Sequence, residues 1–233
     1  MTINRSCIVC DNLTCLIKKH CSDEVILNDI DQNKDINLYR NRQFIFQEGD
    51  FTKNVFFILS GKVKVFLMGA NEKNQIVRFS KRGDILGHRG FIPSGVYPVS
   101  AQAIFDSEIC YLPKKYFFNL LDKVPELTIN LMLSFANELF QEETKLRNMS
   151  VFNVREKVAV ALITIVKSFG LDENQNIVDI DLLSRQDIAE LVGLKANQVT
   201  KVLSDFKVDG IIEIVKNKIK ITSYGALEKI VSY

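Results

Sequence analysis

The chain has 233 residues, 47% of them hydrophobic and 25% charged, enough to bury a sizeable core and to divide into two domains. A formal net charge of +2 excludes a general polyanion binder, so any nucleic-acid contact has to come from local patches. No run of about 18 apolar residues and no charged-then-apolar leader is present, so neither a spanning segment nor a membrane partner is expected and the expected location is the cytoplasm.

Five cysteines, four of them in the first 21 residues, do not form a secreted disulfide framework. Cys7, Cys10, Cys15 and Cys21 follow the spacing C-x2-C-x4-C-x5-C in a segment, residues 1–22, too polar to form a core element of its own. Read as a flexible arm, it offers clustered thiolates that suit a soft metal or an iron–sulfur cluster. A zinc knot, thiol redox sensing and free thiols without any cofactor are the alternatives. A short amphipathic helix is expected near Glu24 to Asp31, where Val25, Ile26, Leu27 and Ile30 cluster.

From about Tyr39 to Leu112 short β-branched and aromatic runs are closed by turn residues: FIFQEGD, NVFFILSGKVKVFL, QIVRFSKRGDILG, VSAQAI and EICYLP. Their regular spacing predicts a sandwich or barrel, here a β-roll, and KVKVFL alternates as a strand with one wet face does. A helix is expected over Lys114–Asp122. Pro125, suited to a first helical turn, opens a long one to about Met149. Its stripe of Leu127, Leu131, Phe135, Leu139 and Leu146, widened by Leu133 and Phe140, has more to bury than one neighbour covers and predicts a dimer helix. Another apolar helix follows from Val151 to Phe169, with a hinge expected near Asn148 to Asn153, and 171–183 leads into the last motif.

That motif begins at Ser184. Ser184 with Asp187 reads as a helix cap, Ile188, Leu191 and Val192 as a buried face, and Gly193 as a turn. From Lys195 a second helix puts Val199, Val202, Leu203 and Phe206 on one side and Asn197, Lys201 and Ser204 on the other. An outer face of amides, hydroxyls and an ammonium suits a major groove. IIEIV and KIKIT around Lys216-Asn217 predict a β-hairpin wing, with Lys216, Lys218 and Lys220 available to phosphates. The expected DNA contacts are therefore Ser184, Arg185, Gln186, Lys195, Ala196, Asn197, Gln198, Thr200, Lys201, Ser204, Lys216 and Lys218. No Walker loop, H-E-x-x-H or serine elbow occurs, so no enzyme is expected. The competing reading is a cytosolic metal or redox sensor whose winged domain contacts protein.

A β-roll containing G-D-x-x-G, a long helix and a winged helix-turn-helix of the form S-R-Q-D-I-A-x-x-V-G together resemble the CRP/FNR family of bacterial transcription regulators. The resemblance implies an α+β chain. Residues 1–22 are then a Cys-rich arm, 23–123 a cyclic-nucleotide-binding-like roll (double-stranded β-helix), 124–149 the dimerisation helix and 150–233 the DNA-binding domain. It also implies a homodimer on a two-fold symmetric operator and RNA polymerase as a partner.

The effector pocket is implied at Gly87, His88, Arg89, Pro98, Val99 and Ser100. Cyclic-AMP-binding members carry a glutamate where this chain has His88, and an Arg-Ser pair where it has Pro98-Val99, so cyclic AMP is not the expected ligand. YPVSAQAIFDSEIC (97–110) is similar to the oxygen-sensing branch around its fourth cluster cysteine. That resemblance implies a [4Fe-4S] cluster held by Cys7, Cys10, Cys15 and Cys110, with Cys21 as an alternative ligand, although the branch spaces its first three cysteines C-x2-C-x5-C. The branch and its CRP-like relatives present a glutamate and, four residues on, an arginine to the bases; here those positions are Asn197 and Lys201, so a different operator is expected.

Overall fold

The computed structural model describes residues 6–69, 74–171, 184–215 and 218–231. Two compact units are built from discontinuous stretches, one from the described residues up to Leu67 with Ser80–Gln141, the other from Met68–Phe79 with the described residues from Glu142 onward.

The first unit opens with α1 (Leu16–His20) and α2 (Glu24–Asn33). The Asp23 carboxylate starts α2 by accepting the N–H groups of Val25 and Ile26, at 2.8 and 3.3 Å, two donors that a first turn leaves without helical partners. Along the chain there follow β1 (Asp35–Tyr39), β2 (Phe44–Phe46), β3 (Asn54–Ser60), β4 (Lys62–Leu67), β5 (Gln75–Lys81), which belongs to the second unit as far as Phe79, β6 (Ile85–Leu86), β7 (Ser100–Ala103) and β8 (Ser107–Pro113). Helices α3 (Lys114–Lys123) and α4 (Pro125–Val151) follow. One sheet has the order β1-β8-β3-β6, the other β2-β7-β4-β5.

Side-chain pattern explains the two layers. In β4, Val63 and Val65 are buried while Lys62 and Lys64 are only half-buried, the alternation of a strand with one core face. In β3, Val55, Phe56, Phe57 and Ile58 are all buried, because the strand is covered on both sides. Phe56 stacks on Phe46 of the other sheet at 5.4 Å between ring centroids, and Phe57 meets Phe117 of α3 at 5.9 Å.

One expectation needs correction here. The segment before residue 22 is not a polar arm outside the core: Cys15, Ile17 and Cys21 are 8%, 3% and 5% exposed and pack with Leu27 and Ile30 of α2. Asn12 is also buried and donates to Ile58 O at 3.1 Å, tying the segment to β3. A few inward residues suffice: Val9 and Leu13 of the same segment stay exposed. The structure also adds α1 and begins β1 at Asp35, ahead of the first expected strand.

In the second unit, α5 (Val154–Phe169) starts three residues later than expected. Asn153 caps it in a reciprocal box with Glu156, and α4 ends at Val151. Then follow α6 (Arg185–Val192), α7 (Ala196–Val208), β9 (Ile212–Val215), β10 (Lys218–Ile221) and α8 (Tyr224–Val231), the last not expected from sequence. Strands β9 and β10 pair antiparallel, Val215 opposite Lys218. Arg155 lies over the Phe206 ring at 4.6 Å and bonds Asp209 at 2.6 Å, seating α7 against α5. The β5 side of the unit is fixed by Gln75, whose amide donates to Glu190 O at 2.7 Å, and by Lys145, which donates to Val77 O at 3.0 Å.

Gly61, between β3 and β4, has φ of +91°, and a Cβ there would lie 2.1 Å from Ser107 Oγ and 2.6 Å from Ser107 Cα. Gly49, at +88°, has nothing within 4 Å of that position. Gly61→Ala is expected to lower unfolding free energy by about 2–4 kcal/mol in urea titrations, and Gly49→Ala by only about 1 kcal/mol, the backbone term alone.

Candidate sensor cavity and nucleic-acid interface

The first site forms where the N-terminal segment meets the sheet. Strand β8 lies between β1 and β3, with Cys110 opposite Ile36 on one side and Phe57 on the other. Directly paired residues share a face. That face opens on a small cavity lined by Ile36, Phe57 and four cysteines: Cys7, Cys10, Cys15 and Cys110. The other lining residues are Ile17, Lys18, Ile30, Lys34 and Leu59. The structure thus brings together Cys7, Cys10, Cys15 and Cys110; Cys21 is buried in the neighbouring core and is not part of the lining.

Asp31 and Lys34 of the α2 end hold the segment in place. Asp31 accepts from Ser6 Oγ at 2.5 Å and from the Cys7 backbone N–H at 2.7 Å, and forms an ion pair with Lys34. Lys34 Nζ donates to Cys7 Sγ at 3.0 Å. Neither residue is in the motif that marked the cysteines, but the polar pair at i, i+3, closing a helix whose other face is apolar, was a readable signal.

Burial dominates the acid–base behaviour of the thiols. It pushes Cys7 up to about 11 despite the Lys34 hydrogen bond, raises Cys15, and raises Cys110 strongly, with Lys34 offsetting part of that. Burial works against the Lys34 ammonium, yet Asp31 and Cys7 outweigh it and its pKa lies above the ordinary lysine value. Metal binding at this cavity must therefore release thiol protons. Among the described residues no group of three or more His, Cys, Asp or Glu is gathered as ligands of a metal ion would be. Four thiols spread around one cavity, with no carboxylate or imidazole in the lining, are a donor set for a sulfur-ligated cluster with a width of its own rather than for a single ion. The residues present fit such a group.

The residues expected around a nucleotide do something else. Gly87, with φ of +81°, leads into a short 3-10 turn at His88–Gly90. His88 Nε2 lies 3.1 Å from Glu138 Oε1, and Arg89 Nε donates to Glu138 Oε2 at 2.8 Å. Arg89, the guanidinium of the implied effector pocket, is thus paired with a carboxylate of α4. Val99 and Ser100 are buried, Pro98 is half-buried, and the Ser100 hydroxyl accepts the Glu48 N–H at 2.9 Å.

On α4, two of the five stripe residues have to be reassigned. Leu127 and Leu131 are 0% and 5% exposed, sealed into the first unit's own core with Leu120 and Phe117, and have no face left for a second chain. Phe135 is at the margin, its ring 5.1 Å from that of His88. Leu139 and Leu146 are exposed, as are Ile129, Met132, Leu133 and Phe140. Spacing by four follows the inner side of the helix for its first turns. The exposed stripe follows a seven-residue repeat, Met132, Leu139 and Leu146, which the sequence also contained.

In the second unit the helix-turn-helix forms as its residues dictate. Ser184 Oγ accepts the Asp187 N–H at 3.1 Å and Asp187 Oδ2 accepts the Ser184 N–H at 2.9 Å, and Gly193 turns the chain with φ of +66°. Val199, Val202, Leu203 and Phe206 are buried; Asn197, Thr200, Lys201 and Ser204 form the exposed face of α7. Lys195 and Gln186 are exposed, and Arg185, Ala196 and Gln198 half-buried. Gln198 Oε1 accepts the Lys195 N–H at 3.0 Å, so this amide closes the helix start. Lys218 is exposed at the start of β10, whereas Lys216 lies outside the described residues.

A two-sheet roll, a long helix and a winged helix-turn-helix define a class: transcription regulators that carry sensor and DNA reader in one polypeptide, and not enzymes. Residues 37–124 match the cyclic nucleotide-binding domain family and residues 156–230 the Crp-like helix-turn-helix domain. Among curated proteins, the chain is 28% identical over 210 residues to electron transport regulator A of Shewanella oneidensis, covering 86% of this chain and 81% of that protein. It is 25% identical over 209 residues to the fumarate and nitrate reduction regulatory protein of Escherichia coli, covering 88% and 81%. Its fold is similar to that of FixK2 from Bradyrhizobium japonicum, with a TM-score of 0.74 at 21% identity, over 85% of this chain and 97% of that one. The chain belongs to the CRP/FNR family of transcription regulators.

The buried, protonated thiols have a measurable consequence. In reduced, metal-free protein at neutral pH, iodoacetamide is expected to modify Cys15 and Cys110 at least about tenfold more slowly than in urea-unfolded chain, as read by peptide mass spectrometry. Equal rates would show that the cavity wall does not hold in solution.

Proposed function

We propose that this regulator is a homodimer that binds a two-fold symmetric operator, and that oxygen or redox state controls its DNA binding through an iron–sulfur cluster held by Cys7, Cys10, Cys15 and Cys110. The observation that carries the reading is the convergence of three thiols from the N-terminal segment and one from the central strand β8 on a single cavity. The names of the two relatives, regulators of electron transport and of fumarate and nitrate reduction, agree with a redox signal. A cyclic nucleotide is not favoured, since Arg89 is paired with Glu138 and Pro98 stands where an anion would need a cation.

When bound, the cluster supplies an oxygen-sensitive redox state. Asp31 fixes the segment that carries Cys7, and β8 fixes Cys110, so the four donors are drawn from two parts of the chain that come together only in the folded first unit. The exposed stripe of α4 is the surface for the second copy, with Leu139 and Phe140 at its middle. Across such a dimer, two α7 helices read half-sites one helical turn apart: Asn197 is suited to adenine and Lys201 to guanine, with Lys218 on a phosphate. RNA polymerase is the partner that a DNA-bound regulator of this kind would engage, and the cytoplasm is where it would act. No helix among the described residues is long and apolar enough to cross a membrane.

The test starts from protein purified without oxygen, with iron and sulfide assayed and binding to genomic promoter fragments measured against salt. Serine at Cys7, Cys10, Cys15 or Cys110 is expected to abolish loading, whereas Cys21→Ser retains it. DNA affinity should fall steeply with salt, and Lys218→Ala should lower the salt slope by about 1 while weakening all sequences alike; Asn197→Ala should relax preference at one base pair per half-site. Salt-insensitive binding, or none in any redox state, would leave the winged domain as a protein-contact module.

A further inference from the structure

The cysteine cavity contains one feature that the ligand set does not use. Lys34 lies in its lining with a side chain only 3% exposed, among apolar residues, sulfurs and Lys18, whose ammonium donates to Ile8 O at 2.8 Å rather than to a thiol. A lysine is almost never buried so deeply unless its charge has a task or a partner. Its anionic partner among the described residues, Asp31, is 15% exposed and is itself engaged by Ser6 Oγ and the Cys7 N–H. If the only requirement were to anchor the segment, Asp31 already meets it with those two bonds. The ammonium goes further and donates to Cys7 Sγ at 3.0 Å.

We propose that Lys34 is a positioning residue for the cluster: anchored by Asp31, its ammonium donates an N–H···S hydrogen bond to the Cys7 ligand and sets a positive charge in the cavity wall, raising the cluster's reduction potential and slowing its loss in air. This rests on the reading that the cavity holds an iron–sulfur cluster. Four thiolates outweigh the charge of an iron–sulfide core and leave the site anionic, so a nearby fixed cation favours the state with one more electron. A hydrogen bond to a ligand sulfur works in the same direction, because it draws electron density away from the metal. The step concerned is the transfer of one electron between the cluster and an external redox dye, with no bond made or broken in the protein.

Wild type, Lys34→Arg, Lys34→Gln and Lys34→Met are compared after anaerobic reconstitution by three readouts: iron and sulfide content, potential from titration against redox dyes, and the rate at which the visible band bleaches in air. Lys34→Met is expected to load iron and sulfide as wild type does, to show a more negative potential, and to bleach about tenfold faster. Lys34→Arg should restore both values, and Lys34→Gln, a donor without charge, should fall between. A loaded Lys34→Met with wild-type potential and wild-type bleaching overturns the proposal while leaving the cluster reading intact. Absence of iron and sulfide from wild type overturns both. If Lys34→Met cannot load, Lys34→Arg decides: loading with the wild-type potential upholds the role of the charge, and failure to load assigns Lys34 to packing alone.

Discussion

The pairing of β8 with β1 on one side and β3 on the other is the constraint on which the sensor unit depends. Because β8 is central and Cys110 shares one wall with Ile36 and Phe57, a slip of β8 by one residue would turn Cys110 to the opposite face, away from both. Phe57 is held in turn by Phe117 of α3. The fourth thiol is therefore fixed by the whole sheet, and the other three are brought to it by a segment anchored through Asn12 on β3 and Ser6 and Cys7 on Asp31. The cavity wall unites a thiol fixed by the sheet with thiols held by a few polar bonds.

Helix α4 shows how one element serves several surfaces. Its first turns bury Leu127 and Leu131 in the roll's core. Further on, Glu138 binds His88 and Arg89, beside the turn that follows the G-D-x-x-G motif, while its outer face exposes Leu139 and Phe140. Toward its end Lys145 bonds the β5 backbone. A carboxylate that faces the roll and an apolar stripe that faces outward lie within one turn of each other on the same helix.

Much of the second unit could be read in the chain because its signals are local. The Ser184–Asp187 box, the positive φ at Gly193 and the four buried positions of α7 depend on residues within a few places of one another, and the structure has all of them. In the first unit the alternation in β4 was legible for the same reason. What escaped was set by distant contacts. The cysteine segment looked too polar for the core because only Cys15, Ile17 and Cys21 face inward, and their burial needs α2 already in place. Leu127 and Leu131 matched a dimer stripe because periodicity gives a face and not its partner. The partner of Arg89, a residue of the implied effector pocket, is Glu138, 49 positions away and outside any local motif.

The same distinction bears on the nucleotide question. The roll has the shape of a cyclic nucleotide-binding domain, and yet its described polar groups at the cassette are turned to internal use: Ser100 serves Glu48, and Arg89 serves Glu138. A fold keeps its strand order under many sequences, but a ligand site needs particular atoms left with capacity to spare. In this chain the surplus capacity lies on the other side of the roll, in thiols that burial keeps protonated and that an incoming metal group would have to deprotonate. Shape thus follows the family, and the placing of donor atoms is what a proposal about the signal has to rest on.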